Sequence, residues 1–283
     1  MAIEIRLMKE EEASILASLS KEVNWNHSFA ECQGAVTIKG SELYLLFVDG
    51  QVAGSAGAFV YGNEDIVFIN IVIVREQYRR RGYASMMIQH ILDAHKNAKT
   101  FRLHATPEGS LVYTHFGFET KRHLTYLVSE KIPVNNSVET LTKEVKVMDK
   151  DNWDWAIKFD EENFSLSRKE LFNFNAKNFG HKAYAIAGKG FALARVGRKF
   201  RQIAALEADC VETALAVVNK VAQEEDNTMP VSIVIYDQCE EFIAKLKGLN
   251  FIQTREMFDM ELGQDGTVPN FKHYFAIYGG DLG

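Results

Sequence analysis

The chain has 283 residues, 47% of them hydrophobic and 25% charged, with 19 Gly and 4 Pro. These proportions exclude a disordered chain and a collagen-like or Pro-rich fibre, and the length suits two domains of roughly 100–200 residues each. A formal net charge of −6 disfavours nucleic acid as a partner of the whole protein, because phosphate backbones are held by net positive surfaces.

The three cysteines, Cys32, Cys210 and Cys239, lie far apart. They offer neither a disulfide framework nor zinc spacing, so thiols in a reducing compartment and no metal are expected. The start, Met1 to Arg6, has no signal-peptide core. The longest apolar run, Ile66 to Val74, is nine residues interrupted by Asn70, too short for a membrane-spanning helix. A cytoplasmic protein with no membrane partner is expected.

In chain order, Ile3, Ile5 and Leu7 alternate with polar residues as in a half-buried strand, and Glu10 to Val23 carries Ile15, Leu16 and Leu19 at helical spacing. Gly34 to Glu42 reads as loop. Leu43 to Val48 and Val52 to Val60 flank Asp49-Gly50, a hairpin signal. A turn at Gly62-Asn63-Glu64 leads to Ile66–Val74, whose continuous hydrophobicity reads as a central strand buried on both faces. Ser85 to Lys96 reads as a helix with Met87, Ile88, Ile91 and Leu92 on one face, and Phe101 to Ala105 as a strand. Pro107 opens a short helix through Tyr113 to Phe116, Gly117 ends it, and Phe118 to Val128 is strand-like. Ile132 to Ser137 reads as a linker.

Beyond it come a short strand at Val145–Val147, a helix at Asp151–Phe164, and a meander of Ala183–Ile186, Phe191–Val196 and Gln202–Leu206. Ala208 to Gln223 is an amphipathic helix, followed by a strand at Val231–Ile235, a helix at Cys239–Lys247 and a strand region at Phe251–Leu262. The element order matches the first half. Two copies of one α+β unit (α/β layered), each a mixed, mostly antiparallel twisted sheet flanked by helices, are expected. Trp153 and Trp155 read as core packing, as do the aromatics from Phe159 to Phe179, for which the lining of a hydrophobic cavity is the competing reading.

One junction carries chemistry. After the central strand come Arg75 to Arg81, then Gly82-Tyr83-Ala84 at the start of a helix. A helix N-terminus leaves main-chain N–H groups unpaired, and glycine lets a phosphate come close. Arg79, Arg80 and Arg81 add charge-assisted contacts to a diphosphate; a bare basic turn in solvent is the competing reading. Neither G-x-x-x-x-G-K-[ST] nor G-x-G-x-x-G occurs; after Gly188-x-Gly190, Leu193 stands where a third glycine is required.

Arg79-x-x-Gly82-x-Ala84 resembles motif A of the GNAT family, the Gcn5-related N-acetyltransferases, in which Q/R-x-x-G-x-G/A follows a hydrophobic strand. Ala105-Thr106-Pro107 to Tyr113 and Phe116-Gly117-Phe118 resemble the family's later motif. The Ala-Thr-Pro-x-Gly start and Trp25-Asn26 resemble a bacterial tandem subgroup with a degenerate C-terminal unit. The resemblance is close over residues 3–128 and weak over 145–262. It implies residues 1–130 as an acetyl-CoA-binding domain, 131–142 as a linker and 143–283 as a degenerate copy.

The resemblance also implies acetyl-CoA as co-substrate. Val72, Ile73 and Val74 would bind the pantetheine arm through their backbone, and Arg79, Arg80, Arg81, Gly82, Tyr83 and Ala84 would hold the diphosphate. A small-molecule or peptide amine would attack the thioester directly, with a strand N–H polarising its carbonyl. Tyr113 stands where the family often carries a general acid; the competing reading is a core tyrosine. His104 is the local candidate base, or a structural histidine, because the central strand shows Phe68, Ile69 and Asn70 and no carboxylate. Trp25 and Asn26, with His27, are candidates for the acceptor pocket or for a surface loop. A non-catalytic acyl-CoA-binding or regulatory protein is the alternative function, and either a monomer or a homodimer is compatible with it. The second half reads Ala204 to Val211 at the matching junction, without Gly or Arg, and Leu246 at the tyrosine's counterpart. Glu207 and Asp209 there would repel a diphosphate and suit the helix N-terminus, so this half is expected not to bind the cofactor.

Overall fold

The computed structural model describes residues 2–61, 65–148, 153–164, 166–177, 182–224, 229–266 and 268–279. The turn expected at Gly62-Asn63-Glu64, the first residues of the helix expected from Asp151, and Phe179 lie outside them. The chain divides into two units, Met1–Thr120 with Met260–Gly266, and Lys121–Asp259 with Thr267–Gly280.

The first unit contains β1 (Ile3–Leu7), α1 (Ala13–Glu22), α2 (Phe29–Thr37), β2 (Ser41–Val48), β3 (Gln51–Tyr61), β4 (Ile66–Val74), α3 (Tyr83–Ala94), β5 (Thr100–Ala105) and α4 (Pro107–Thr114). Its sheet runs β1-β2-β3-β4-β5, antiparallel except for β4–β5. On one face Leu16, Leu19, Cys32, Leu43, Leu45 and Ile73 form a core under α1 and α2. On the other, α3 buries Tyr83, Met87, Ile88 and Ile91. The chain between Gly34 and Glu42, expected as loop, instead completes α2 and begins β2. Ser28 caps this helix: its hydroxyl accepts from Glu31 N–H at 3.2 Å while the Glu31 carboxylate accepts from Ser28 N–H at 2.8 Å. That reciprocal pair satisfies two N–H groups that would otherwise be orphaned and outweighs a weak apolar period.

The second unit contains β6 (Glu119–Ser129), α5 (Glu139–Glu144), β7 (Lys146–Val147), α6 (Asp154–Phe164), α7 (Lys169–Lys177), β8 (Lys182–Ile186), β9 (Gly190–Val196), β10 (Arg201–Ala208), α8 (Val211–Glu224), β11 (Val231–Tyr236), α9 (Glu240–Lys247) and β12 (Ile252–Gly263). Its sheet runs β12-β6-β11-β10-β9-β8-β7. The unit boundary precedes the one expected at 130 because β6 pairs with β11 from Ser129↔Val231 to Leu124↔Tyr236. The expected linker is part of this unit's core: Ile132 and Val138 are buried with α8, and Asn135 N–H donates to Asn219 Oδ1 at 2.9 Å. The last residues of β12 serve the first unit, where Gln264 N–H donates to Lys99 O at 2.9 Å and Glu261 faces Arg102 at 3.7 Å.

The two central strands repeat one defect. In β4, Ile71 and Val72 stand opposite Ala56 alone, and Ile71 has φ +48°. In β10, Ala205 and Leu206 stand opposite Ala192 alone, and Ala205 has φ +46°. Each is a β-bulge with a non-glycine residue in the left-handed region, a conformation a fold keeps only when its surroundings enforce it. Ser55 enforces the first, its buried hydroxyl donating to Ile71 O at 3.0 Å. Register then aligns Asn70-Ile71-Val72-Ile73-Val74 with Ala204-Ala205-Leu206-Glu207-Ala208. Later in each unit Phe118 N–H donates to Tyr113 O at 3.3 Å and Phe251 N–H to Leu246 O at 3.2 Å, which places Tyr113 and Leu246 at equivalent points.

Candidate active site

Strands β4 and β5 pair over only three registers, ending at Phe68↔Arg102, although both run on. Past that point the two strands no longer pair, which leaves a cleft in the ladder among the described residues. Arg75 N–H donates to Ala53 O at 2.9 Å, so by antiparallel alternation Ile73 also turns its backbone to β3 and Val72 and Val74 turn theirs to the cleft. Of the three residues expected to bind an extended arm, Val72 and Val74 therefore face the cleft and Ile73 does not. Its side chain is buried in the core instead.

Beyond β4, Arg75 to Gly82 wrap tightly into α3. Arg80 has φ +60° and Gly82 φ +79°, both left-handed. Such alternation gathers successive N–H groups into an anion-binding concavity. Gly82 is the helix N-cap and supplies no side-chain cap, and the first turn holds no acidic residue. The N–H groups of Ala84 and Ser85, in the first turn, have no acceptor within the helix and suit an external one. A Cβ built on Gly82 would meet nothing within 4 Å. The space above it is open, as the approach of a phosphate requires. Arg79, Arg80 and Arg81 are exposed and none has a carboxylate partner among the described residues. The Arg79 Nε donates to Val74 O at 3.0 Å, which fixes that arginine at the mouth of the cleft. The Tyr83 side chain points away from this loop's surface, 2% exposed and packed inside.

On the opposite bank, α4 begins at Thr106, whose hydroxyl accepts from Gly109 N–H at 3.2 Å, with Pro107 in its first turn. This carries Tyr113 to the end of the helix, its ring edge-on to Phe118 at 5.9 Å. Burial of the hydroxyl pushes the phenol above its ordinary range. His104 lies edge-on to Phe68, ring centroids 5.0 Å apart. Phe68 and Asn70 share a strand face by alternation, so the imidazole and the Asn70 carboxamide stand on the same face.

In the sequence Asn70 interrupts an apolar run and supplies no carboxylate, and nothing there marks it as a site residue. It is 4% exposed, and its Oδ1 has no hydrogen-bond partner among the described residues. Gly57 makes room for it: a Cβ there would sit 2.1 Å from Oδ1. The equivalent pair in the second unit is Leu193 and Ala204, an apolar exchange. Trp25 packs against the Leu43, Ile71 and Ile73 core on the α1 side. Its neighbour His27 accepts or donates at Nδ1 to Ser20 Oγ at 3.0 Å. Trp25 and Asn26 thus sit in an ordered turn after α1, where Trp25 N–H donates to Ser20 O at 2.9 Å.

At the second unit's junction, Glu207 does not sit at a helix N-terminus as expected. It is fully buried in β10 and faces Arg168, whose Nη2 lies 3.3 Å from its Oε1. Helix α8 begins only at Val211. Trp153, Phe164 and Phe172 are buried, as core packing requires. Among the described residues no helix is long and apolar enough to cross a membrane.

Residues 9–118 match the family model described as Acetyltransferase (GNAT) family. A search of curated proteins returns no match. Among solved structures, the chain is similar to a putative acetyltransferase from Pyrococcus horikoshii, with TM-score 0.84 and 18% identity over 99% of this chain and 96% of that one. It is similar to a tandem GNAT protein from the clavulanic acid biosynthesis pathway, with TM-score 0.67 and 11% identity over 94% and 100%. A GCN5-related N-acetyltransferase from Sphaerobacter thermophilus gives TM-score 0.61 and 12% identity over 95% and 98%. At these identities the likeness establishes the fold, a mixed α/β GNAT architecture in tandem.

Proposed function

We propose, with the acetyltransferase family match of residues 9–118 as premise, that the first unit transfers an acetyl group from acetyl-CoA to an amine. The observation that carries this reading is the continuous path from the edge of β4 at Val72 and Val74, beyond its pairing with β5, to the N–H concavity at Arg80–Gly82. A diphosphate fits there: the backbone is open above Gly82, and the same loop carries three exposed arginines without carboxylate partners among the described residues. Acetyl-CoA supplies an acyl group activated as a thioester, which an amine takes directly.

In this reading the chain's own groups divide the work. Val72 and Val74 hold the pantetheine arm as an added strand, with Ile73 supporting them from the core. The amides of Arg79 to Ala84 hold the diphosphate, with charge from Arg79, Arg80 and Arg81. The Ile71 N–H, turned by the bulge, polarises the acyl oxygen. Tyr113, a phenol that is protonated at neutral pH, delivers its proton to the departing sulfur. His104, or solvent beside it, takes the proton of the amine. Trp25, Asn26 and Asn70 border the acceptor. The three cysteines are unbridged, two of them buried, which suits a reducing cytoplasm.

The test is thiol release from acetyl-CoA with amino acids, polyamines, aminoglycosides and peptides, comparing wild type with Gly82→Glu and Tyr113→Phe. Turnover with an amine, lost in Gly82→Glu, is the expected result; no turnover with any of them refutes the transferase. A non-catalytic acyl-CoA-binding module is the second reading, favoured by one observation: Phe68, Ile69 and Asn70 place no carboxylate on β4. CoA binding without turnover would select it.

A further inference from the structure

The second unit has the same split in its sheet, and something fills it. Strand β10 pairs in parallel with β11 over three registers only, ending at Ile203↔Ile233, as β4 does with β5. Past that point the segment 273–277 lies in the gap. Phe275 and Ala276 both donate their N–H to Leu206 O, at 2.8 and 3.1 Å. Ala208 N–H donates to His273 O at 2.9 Å, and Ala205 N–H to Ile277 O at 3.0 Å. On the other bank Ile277 N–H donates to Val234 O at 3.1 Å. The segment thus bridges both strands through main-chain bonds, the mode by which a sheet accepts an extended peptide.

The positions it uses are the ones the first unit leaves open. Ala205, Leu206 and Ala208 align with Ile71, Val72 and Val74. The Ile277 carbonyl sits on the bulge N–H, the group that in the first unit is assigned to an acyl oxygen. The segment is anchored from its side chains as well. The Tyr274 hydroxyl accepts from Arg168 Nη1 at 2.9 Å, and its ring stacks on Phe164 at 5.4 Å. Arg168 is held in turn by Asp160 and Glu207, all three within 1% of complete burial. Phe275 packs on Phe242, ring centroids 5.0 Å apart. Tyr274, Phe275, Ala276 and Ile277 are each 3% exposed or less.

We infer that the second unit's cleft is a peptide-strand site whose ligand is the chain's own segment 273–277, standing in for a cofactor arm, so that the whole chain takes one equivalent of acyl-CoA. This rests on the reading that the first unit's cleft takes that arm. The inference goes beyond the missing glycine and arginines. A lost phosphate loop alone would weaken a second site, whereas an internal occupant removes it. Glu207, bridged to Tyr274 along the backbone, holds the occupant through Arg168 with its Oε1, while its Oε2 has no hydrogen-bond partner among the described residues.

The experiment uses the intact chain, with CoA titrated calorimetrically and amide exchange followed by mass spectrometry. The expected result is one equivalent of CoA for wild type and none for Gly82→Glu. The amides of 275–277 should exchange as slowly as those of β10 and β11, and CoA should leave them unchanged. In Tyr274→Phe, exchange at 275–277 should quicken at least tenfold with CoA affinity unchanged. Two equivalents in wild type, one remaining in Gly82→Glu, or deprotection of 275–277 by CoA would overturn the inference. Should wild type bind no CoA at all, the transferase reading fails, and the exchange rates still decide the occupant: amides at 275–277 exchanging like a free tail refute it.

Discussion

Substituting Gly82 tests the anion site most directly, because three effects there separate by variant. Gly82 has φ +79° and ψ 3°, so alanine pays a conformational cost of roughly 1–2 kcal/mol, while asparagine tolerates the left-handed region at less. Neither meets a steric clash in the free protein, since nothing lies within 4 Å of the new Cβ. Stability should therefore fall by about 1–2 kcal/mol in Gly82→Ala and by less in Gly82→Asn. Binding follows a different order, because any side chain there fills the space a phosphate needs. Displacing the diphosphate from two main-chain N–H groups removes two charge-assisted bonds of roughly 1.5–3 kcal/mol each. That is ~3–6 kcal/mol, or a ~10²- to 10⁴-fold loss of CoA affinity. Gly82→Glu adds like-charge repulsion, while its carboxylate at the helix N-terminus returns about 0.3–1 kcal/mol to stability. Calorimetric titration with CoA alongside urea melts reads both quantities. A Gly82→Glu protein that is folded and binds CoA within threefold of wild type would refute the site.

Three further outcomes are expected. Tyr113→Phe should lower kcat by about 10²-fold with the CoA dissociation constant unchanged; equal kcat in the two proteins would remove the phenol from the chemistry. Glu207 carries a pKa well above its ordinary 4.5, raised first by burial and then by Asp160, so the folded chain keeps a proton that the unfolded chain releases. Stability supplied by that proton is complete below about pH 4.5 and declines as pH rises toward the folded value. Glu207→Gln should flatten the decline between pH 5 and pH 8 in urea midpoints, and an unaltered slope would contradict the assignment. Ser28→Ala should cost about 1 kcal/mol by unmaking the α2 cap, and an unmoved urea midpoint would show the cap to be idle.

The local code carried much of this protein. Asp49-Gly50 between apolar runs marked the β2–β3 hairpin, the period of Met87, Ile88 and Ile91 marked the buried face of α3, and Pro107 marked the start of α4. These signals are local because hydrogen bonding and side-chain period act over a few residues. Arg79-x-x-Gly82 announced an anion site for the same reason: a helix start and a glycine are adjacent in the chain. What depended on distant strands was not legible. Nothing in Ile71 or Ala205 announces a left-handed bulge, since β-branched and alanine side chains disfavour it and only register against β3 and β9 imposes it. Asn70 reads locally as an interruption, and only its pairing with Gly57 makes room for its carboxamide. Glu207 looked like a helix-start acid until Arg168, thirty-nine residues earlier, was found against it. The division at β6 and the occupancy of the second cleft by 273–277 belong to this second class. They are decided by which strand reaches an open ladder edge, a competition among main-chain groups that are chemically identical at every residue.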